Sequence, residues 1–208
     1  MTKKTYLILS ALLITMSCST AYSASLTLRA GTMLPQGGDF KDISKLGWSV
    51  DLLANVKLLP IPMLSTVIFV NSSGFANKQK TVDDPALCPS CGGTFLVESK
   101  ITSTGGGIGV RLAPTIPAIS PFAELLARIS SLKQDFKVAG TGTTNSKTKL
   151  GYQINVGLKF AFVPKLGLEV GGSYFTYSKT KLKLQDVEKD VTAKAIGAFV
   201  GLSLGLGL

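Results

Sequence analysis

The sequence predicts an all-β protein, an eight-stranded antiparallel up-and-down transmembrane β-barrel, and three observations carry that expectation. Apolar residues recur with a period of two over most of the chain. After the N-terminal segment no run approaches the ~18 consecutive apolar residues that a membrane-crossing helix needs. The connections between the alternating segments are by turns short and long.

The first 24 residues read as a leader that the fold does not include. Lys3 and Lys4 form a basic start, Tyr6 to Met16 an apolar stretch broken by Ser10 and Thr15, and Ala21, Ser23 and Ala24 offer small residues for cleavage. Cleavage beside Ala24 removes two lysines and no acids, so a net charge of +10 becomes +8. Cys18 is a poor lipidation site, because Thr15 stands where a lipoprotein signal usually has leucine. The remainder is 25–208, rich in glycine and apolar residues and low in charge, which excludes a disordered chain and is unlike a cytosolic enzyme. An exported chain this apolar, with no spanning helix, is either a soluble β-domain or a closed barrel in a membrane.

Eight alternating segments run over 25–35, 47–58, 64–76, 94–113, 120–133, 148–163, 166–180 and 191–208. The sixth is the clearest: Tyr152, Ile154, Val156, Leu158, Phe160 and Phe162 alternate with Gln153, Asn155, Gly157, Lys159 and Ala161. Successive strand side chains point to opposite faces, so each segment has one greasy face and one polar or small face. The third and fourth alternate less cleanly. Connections after segments two, four and six are short or carry proline (Pro60, Pro62, Pro114, Pro117, Pro164). Those after one, three, five and seven are read as longer polar loops: Gly37-Gly38-Asp39, Lys78 to Asp84, Lys133 to Lys147 and Lys179 to Asp190. Short turns at one end and long loops at the other are the outer-membrane pattern, with the long loops outside.

A soluble sandwich or lipocalin-like barrel would turn its greasy face inward and its polar face to water. Against it, the non-greasy face is glycine, serine and alanine with isolated charges. Strands of about ten residues also suit a tilted bilayer crossing. With the greasy face toward lipid, the other face fills a lumen that eight strands leave only wide enough for side chains. The inward charges are then Arg29, Asp51, Lys57, Arg111, Glu124, Arg128, Lys159 and Glu169. Buried charges require partners, so they are expected to form a salt-bridge network that plugs the barrel. Trp48, Tyr152, Tyr174 and Phe162 are candidates for interfacial aromatic girdles.

Chemical motifs are sparse. Cys88-Pro89-Ser90-Cys91 falls in the second long loop, where two cysteines of an exported protein most simply form a disulfide. A redox pair would want a helix N-terminus, and a metal site would want more ligands than two cysteines. Gly105-Gly106-Gly107-Ile108-Gly109 lacks the spacing of a phosphate loop and sits inside a strand pattern. Thr141 to Thr148 departs from a P-loop at Ser146. The chain contains no histidine, which removes Ser-His-Asp chemistry and histidine-based water activation. Lys78, Lys80, Lys133, Lys137, Lys147, Lys149, Lys179, Lys181 and Lys183 lie in or beside the long loops, a basic rim facing lipopolysaccharide phosphates or anionic host polymers. Nothing resembles an aromatic-basic nucleic-acid module.

In several patterns the chain resembles the small outer-membrane β-barrel superfamily, in the manner of the OmpA barrel domain and OmpX-like proteins. They are Arg29-Ala30-Gly31 in the opening strand, Gly38-Asp39-Phe40 before Gly47-Trp48, Lys149-Leu150-Gly151-Tyr152, Lys165-Leu166-Gly167-Leu168-Glu169-Val170, and the closing Val200-Gly201-Leu202-Ser203-Leu204. The chain departs from the family at Leu208, where the last residue is usually aromatic. The resemblance implies a bacterial outer-membrane protein without cofactor or metal, inserted by the barrel assembly machinery and in contact with outer-membrane lipid and lipopolysaccharide. The expected role is non-enzymatic, envelope-structural or adhesin-like, with the long loops offered to a host or surface ligand. Two alternatives are a narrow conduit for small solutes and a soluble exported barrel that binds an apolar ligand.

Overall fold

A computed structural model describes residues 24–37, 40–41, 44–57, 61, 63–82, 95–114, 116, 118–138, 141–163, 165–178, 180–184 and 187–206. The expected leader (apart from Ala24, which opens the first strand) and the pair Cys88 and Cys91 lie outside the described residues. The strands are β1 (Ala24–Gln36), β2 (Ser44–Val56), β3 (Leu64–Val82), β4 (Phe95–Leu112), β5 (Ile119–Val138), β6 (Thr141–Val163), β7 (Leu166–Tyr177), β8 (Thr180–Leu184), β9 (Val187–Val191) and β10 (Lys194–Leu206). Eight of them, β1 to β7 and β10, close an antiparallel barrel in which each strand pairs with its sequence neighbour and β1 seals against β10. β8 and β9 form a separate two-stranded ribbon between β7 and β10.

Closure fixes the size of the barrel. From Leu34 the register runs through Ile196, Tyr174, Ile154, Leu125, Val110, Thr66 and Val56 and returns to β1 at Ala24. The shear is therefore ten residues for eight strands. With ordinary strand spacings this corresponds to a tilt of about 40° and a backbone radius of about 8 Å. A lumen that narrow is filled by the inward side chains themselves.

The alternating segments all become barrel strands, but three connections read as polar loops are largely strand. β3 continues to Val82, β5 to Val138 with β6 starting at Thr141, and Lys179 to Asp190 contains most of β8 and β9. Hydrophobic alternation marks only the stretch with a greasy and a polar side. Beyond it the positions that carried the greasy outer face turn polar, Ser131, Lys133 and Asp135 on β5, yet the antiparallel hydrogen-bond ladder goes on unbroken from Ser131↔Thr148 to Val138↔Thr141.

The outer surface is a continuous apolar belt. Leu28, Trp48, Leu52, Ile108, Leu125, Ile129, Ile154, Val156, Val200 and Leu202 all point outward and are exposed. No charged residue occupies an outward position from Leu28 to Leu34, Ile119 to Ile129, Leu150 to Phe162 or Ile196 to Leu204. Aromatic residues stand at the edges. Trp48 and the Tyr152–Tyr174 pair, with ring centroids 6.3 Å apart, lie toward the long-ribbon end, and Phe162 lies at the short-turn end. Polar residues inside and bare leucines outside invert the arrangement of a soluble barrel.

Candidate functional site: the occluded lumen

Inward positions hold very large side chains beside very small ones. A Cβ on Gly201 would sit 2.6 Å from Arg29 Cγ, and one on Gly157 would sit 2.8 Å from Phe122 Cζ. These inward glycines clear the space into which the neighbouring strand's arginine and phenylalanine fold.

At the centre, two arginines and two glutamates form a closed ring. Arg29 Nη1 meets Glu124 Oε2 at 2.7 Å and Arg29 Nη2 meets Glu169 Oε2 at 2.6 Å. Arg111 closes the other side, Nη1 to Glu124 Oε1 at 3.0 Å and Nη2 to Glu169 Oε1 at 2.8 Å. All four side chains are buried. The ring carries two charges of each sign, which is what permits it to exist in a dry interior. Aromatic faces cover it: Arg111 lies 4.0 Å from the Phe122 ring centroid, and Arg29 lies 4.6 Å from that of Phe199.

A hydrogen-bonded relay ties a second cluster to the ring. Asn155 Nδ2 donates to Glu124 Oε2 at 2.8 Å, and Gln153 Nε2 donates to Asn155 Oδ1 at 3.0 Å. Arg128 donates from Nη1 to Gln153 Oε1 at 2.9 Å and from Nη2 to Asn71 Oδ1 at 2.6 Å. Asn71 in turn donates to Asp51 Oδ1. The charged ends orient every amide between them: the Gln153 and Asn71 oxygens accept from Arg128, the Asn155 oxygen accepts from Gln153, and the NH₂ groups of Asn155 and Asn71 donate to Glu124 and Asp51. Buried polar groups satisfied in this way form a rigid unit.

Toward the ribbon end the lumen is closed by an apolar cluster that includes Met33, Phe40, Phe75, Ile101, Phe175 and Tyr177. Lys41 N donates to Gly37 O in a single turn beside buried Phe40, which meets the Phe75 ring edge-on at 4.9 Å. Tyr177 and Ser103 share a hydrogen bond of 2.7 Å between their hydroxyls. Toward the turn end the lumen opens into a cavity of about 290 Å³ that Lys57, Lys159 and Arg111 line.

The solved structures share this architecture. A crystal structure of neisserial surface protein A superposes with a TM-score of 0.54 at 15% identity, covering 89% of this chain and 99% of that one. A major outer membrane protein from Thermus thermophilus superposes with a TM-score of 0.59 at 12% identity, covering 90% of this chain and 100% of that one. The fold is that of the small outer-membrane β-barrels. No protein-family model matches the sequence, and no curated protein does.

Within this outer-membrane-type barrel the eight inward charges separate into three groups. Arg29, Arg111, Glu124 and Glu169 form the ring. Asp51 and Arg128 form the second cluster through Asn71, a bridge that sequence reasoning did not single out. Lys57 and Lys159 join neither and face the cavity, with Lys159 Nζ donating to Ser203 Oγ at 2.9 Å. Gln153 and Asn155 lie in the same alternation as Lys159, so their inward direction was legible, but their role as a relay was not. Gly105 to Gly109 belongs to β4 and Thr141 to Thr148 to β6; both are barrel wall.

Proposed function

We propose that the protein is a non-enzymatic bacterial outer-membrane barrel that does not conduct, and that its work is done by its outer surface and its ribbons. The ring of Arg29, Glu124, Arg111 and Glu169 carries this reading. It spans the lumen at hydrogen-bonding distances, and both carboxylates are held by guanidinium groups, so neither is free as a general base. The role is envelope-structural or one of surface interaction. The belt contacts lipid, insertion falls to the barrel assembly machinery, and the basic ribbons of β3–β4, β5–β6 and β8–β9 face lipopolysaccharide or a surface ligand. A Cys88–Cys91 disulfide would stiffen the connection between β3 and β4.

Two measurements test the proposal. Cell fractionation should place the protein in the outer membrane, with heat-modifiable gel mobility. Purified protein in planar bilayers should give no reproducible single-channel steps. Recovery in the soluble fraction without detergent would sink the membrane placement and favour the soluble, apolar-ligand alternative; the exposed leucine belt stands against that alternative. Steps abolished by locking the ring would instead support a narrow conduit. One observation speaks for the conduit: the central plug is ionic rather than apolar, and exchange of partners could open a polar path.

A further inference from the structure

The cavity at the turn end of the lumen has a chemistry of its own, separate from the surface role proposed above. Three cationic side chains line it, Lys57, Lys159 and Arg111, together with the hydroxyl-bearing Ser25, Ser65 and Ser120, and among the described residues no carboxylate does. Arg111 is neutralised within the ring by Glu124 and Glu169. The two lysines are not. Lys159 reaches a serine hydroxyl, and Lys57 has no acid at ion-pair distance among the described residues. Two positive charges thus face one half-enclosed space, where water screens their repulsion less than at an open surface.

We propose that this cavity is a binding site for a phosphate group. A phosphate monoester carries close to two negative charges at neutral pH and three acceptor oxygens, which matches two ammonium groups that make no ion pair among the described residues and the hydroxyls of Ser25 and Ser65, Ser120 Oγ being engaged in donating to Ile116 O at 2.9 Å. A volume of about 290 Å³ lies at the small end of ligand pockets, suited to a compact phosphorylated solute or a single headgroup rather than to acyl chains. The ring forms the floor of the site, so the ligand enters and leaves by the turn end and does not cross the barrel.

The test uses the folded full barrel in a nonionic detergent. Titration with inorganic phosphate and with glycerol phosphate at constant ionic strength should give saturable calorimetric binding, and chloride or succinate at the same ionic strength should not. Lys57→Gln and Lys159→Gln should each weaken phosphate binding about tenfold, in line with one charge-assisted contact apiece. A parallel arm in nanodiscs with and without phosphatidic acid, a lipid whose headgroup is a phosphate monoester, separates the two sources: competition by the lipid identifies a headgroup, and its absence identifies a free solute. Amine acetylation of the wild-type protein, followed residue by residue by mass spectrometry, does not depend on the variants folding. Phosphate should protect Lys57 and Lys159 and leave Lys133 unprotected. The assignment is overturned if phosphate does not saturate, if succinate binds equally well, if the double variant Lys57→Gln, Lys159→Gln binds like wild type, or if acetylation of the two lysines is indifferent to phosphate.

Discussion

Replacing Glu124 by glutamine tests the central ring most directly. Its carboxylate accepts from Arg29 Nη1 and Nη2 at 2.7 Å each, from Arg111 Nη1 at 3.0 Å and from Asn155 Nδ2 at 2.8 Å. Removing one partner from a buried ion pair costs about 3–5 kcal/mol, because the charge left behind stays buried. Glutamine keeps one acceptor oxygen, which recovers about 1 kcal/mol. Its NH₂ group, however, must face a guanidinium or the Asn155 amide, all of them donors. The expected destabilisation is therefore about 3 kcal/mol, a large part of the ~5–15 kcal/mol by which folded domains exceed their unfolded chains. Urea unfolding of Glu124→Gln and wild type in the same detergent, read by gel mobility and tryptophan fluorescence, measures it. Trp48 is the only tryptophan and reports from the belt. Adding Arg111→Met restores charge balance around the remaining Arg29–Glu169 pair, so the double variant should be more stable than the sum of the two single effects predicts, by about 1–3 kcal/mol. A Glu124→Gln midpoint within about 0.5 kcal/mol of wild type would show that the ring does not compensate buried charge.

Further expectations follow from the packing. Gly201→Ala places a methyl 2.6 Å from Arg29 Cγ and 2.8 Å from Leu28 O, so overpacking should destabilise the barrel by about 1–3 kcal/mol in the same assay; an unchanged midpoint would mean that Arg29 has room to shift. Leu125→Arg puts a charge in the middle of the outward belt and should cost about 2–4 kcal/mol in lipid vesicles, whereas an unperturbed variant would place that face in water. Asp135, on the part of β5 above the belt, has its carboxyl held below the usual range chiefly by the Thr144 hydroxyl, which donates at 2.8 Å. A depressed folded pKa stabilises above the unfolded pKa, and the contribution fades as pH falls through the folded value. Thr144→Val should therefore move the Asp135 titration upward by NMR, and an unmoved titration would rule out that hydrogen bond in solution.

The period of two by itself determined that Arg29, Asp51, Lys57, Arg111, Glu124, Arg128, Lys159 and Glu169 share one face, because strand geometry leaves a side chain only two directions. It also determined the belt, since outward apolar residues alternate with inward polar or small ones residue by residue in Leu150–Phe162. It did not show where strands stop, because β5 and β6 continue as a polar ladder after the greasy face ends. Nor did it decide which charges meet. Cross-strand register sets Arg29 opposite Asp51, Arg111 opposite Glu124 and Lys159 opposite Glu169. Only the Arg111–Glu124 pair is made between such neighbours. Arg29 reaches across the lumen to Glu124 and Glu169, Asp51 turns to Asn71, and Lys159 turns to Ser203. The reason lies in closure. Eight strands sheared by ten residues bring opposite walls within reach of a long side chain, so partners far apart in sequence compete with those next door. That competition is settled by the tilt and radius of the closed barrel, which no local pattern encodes.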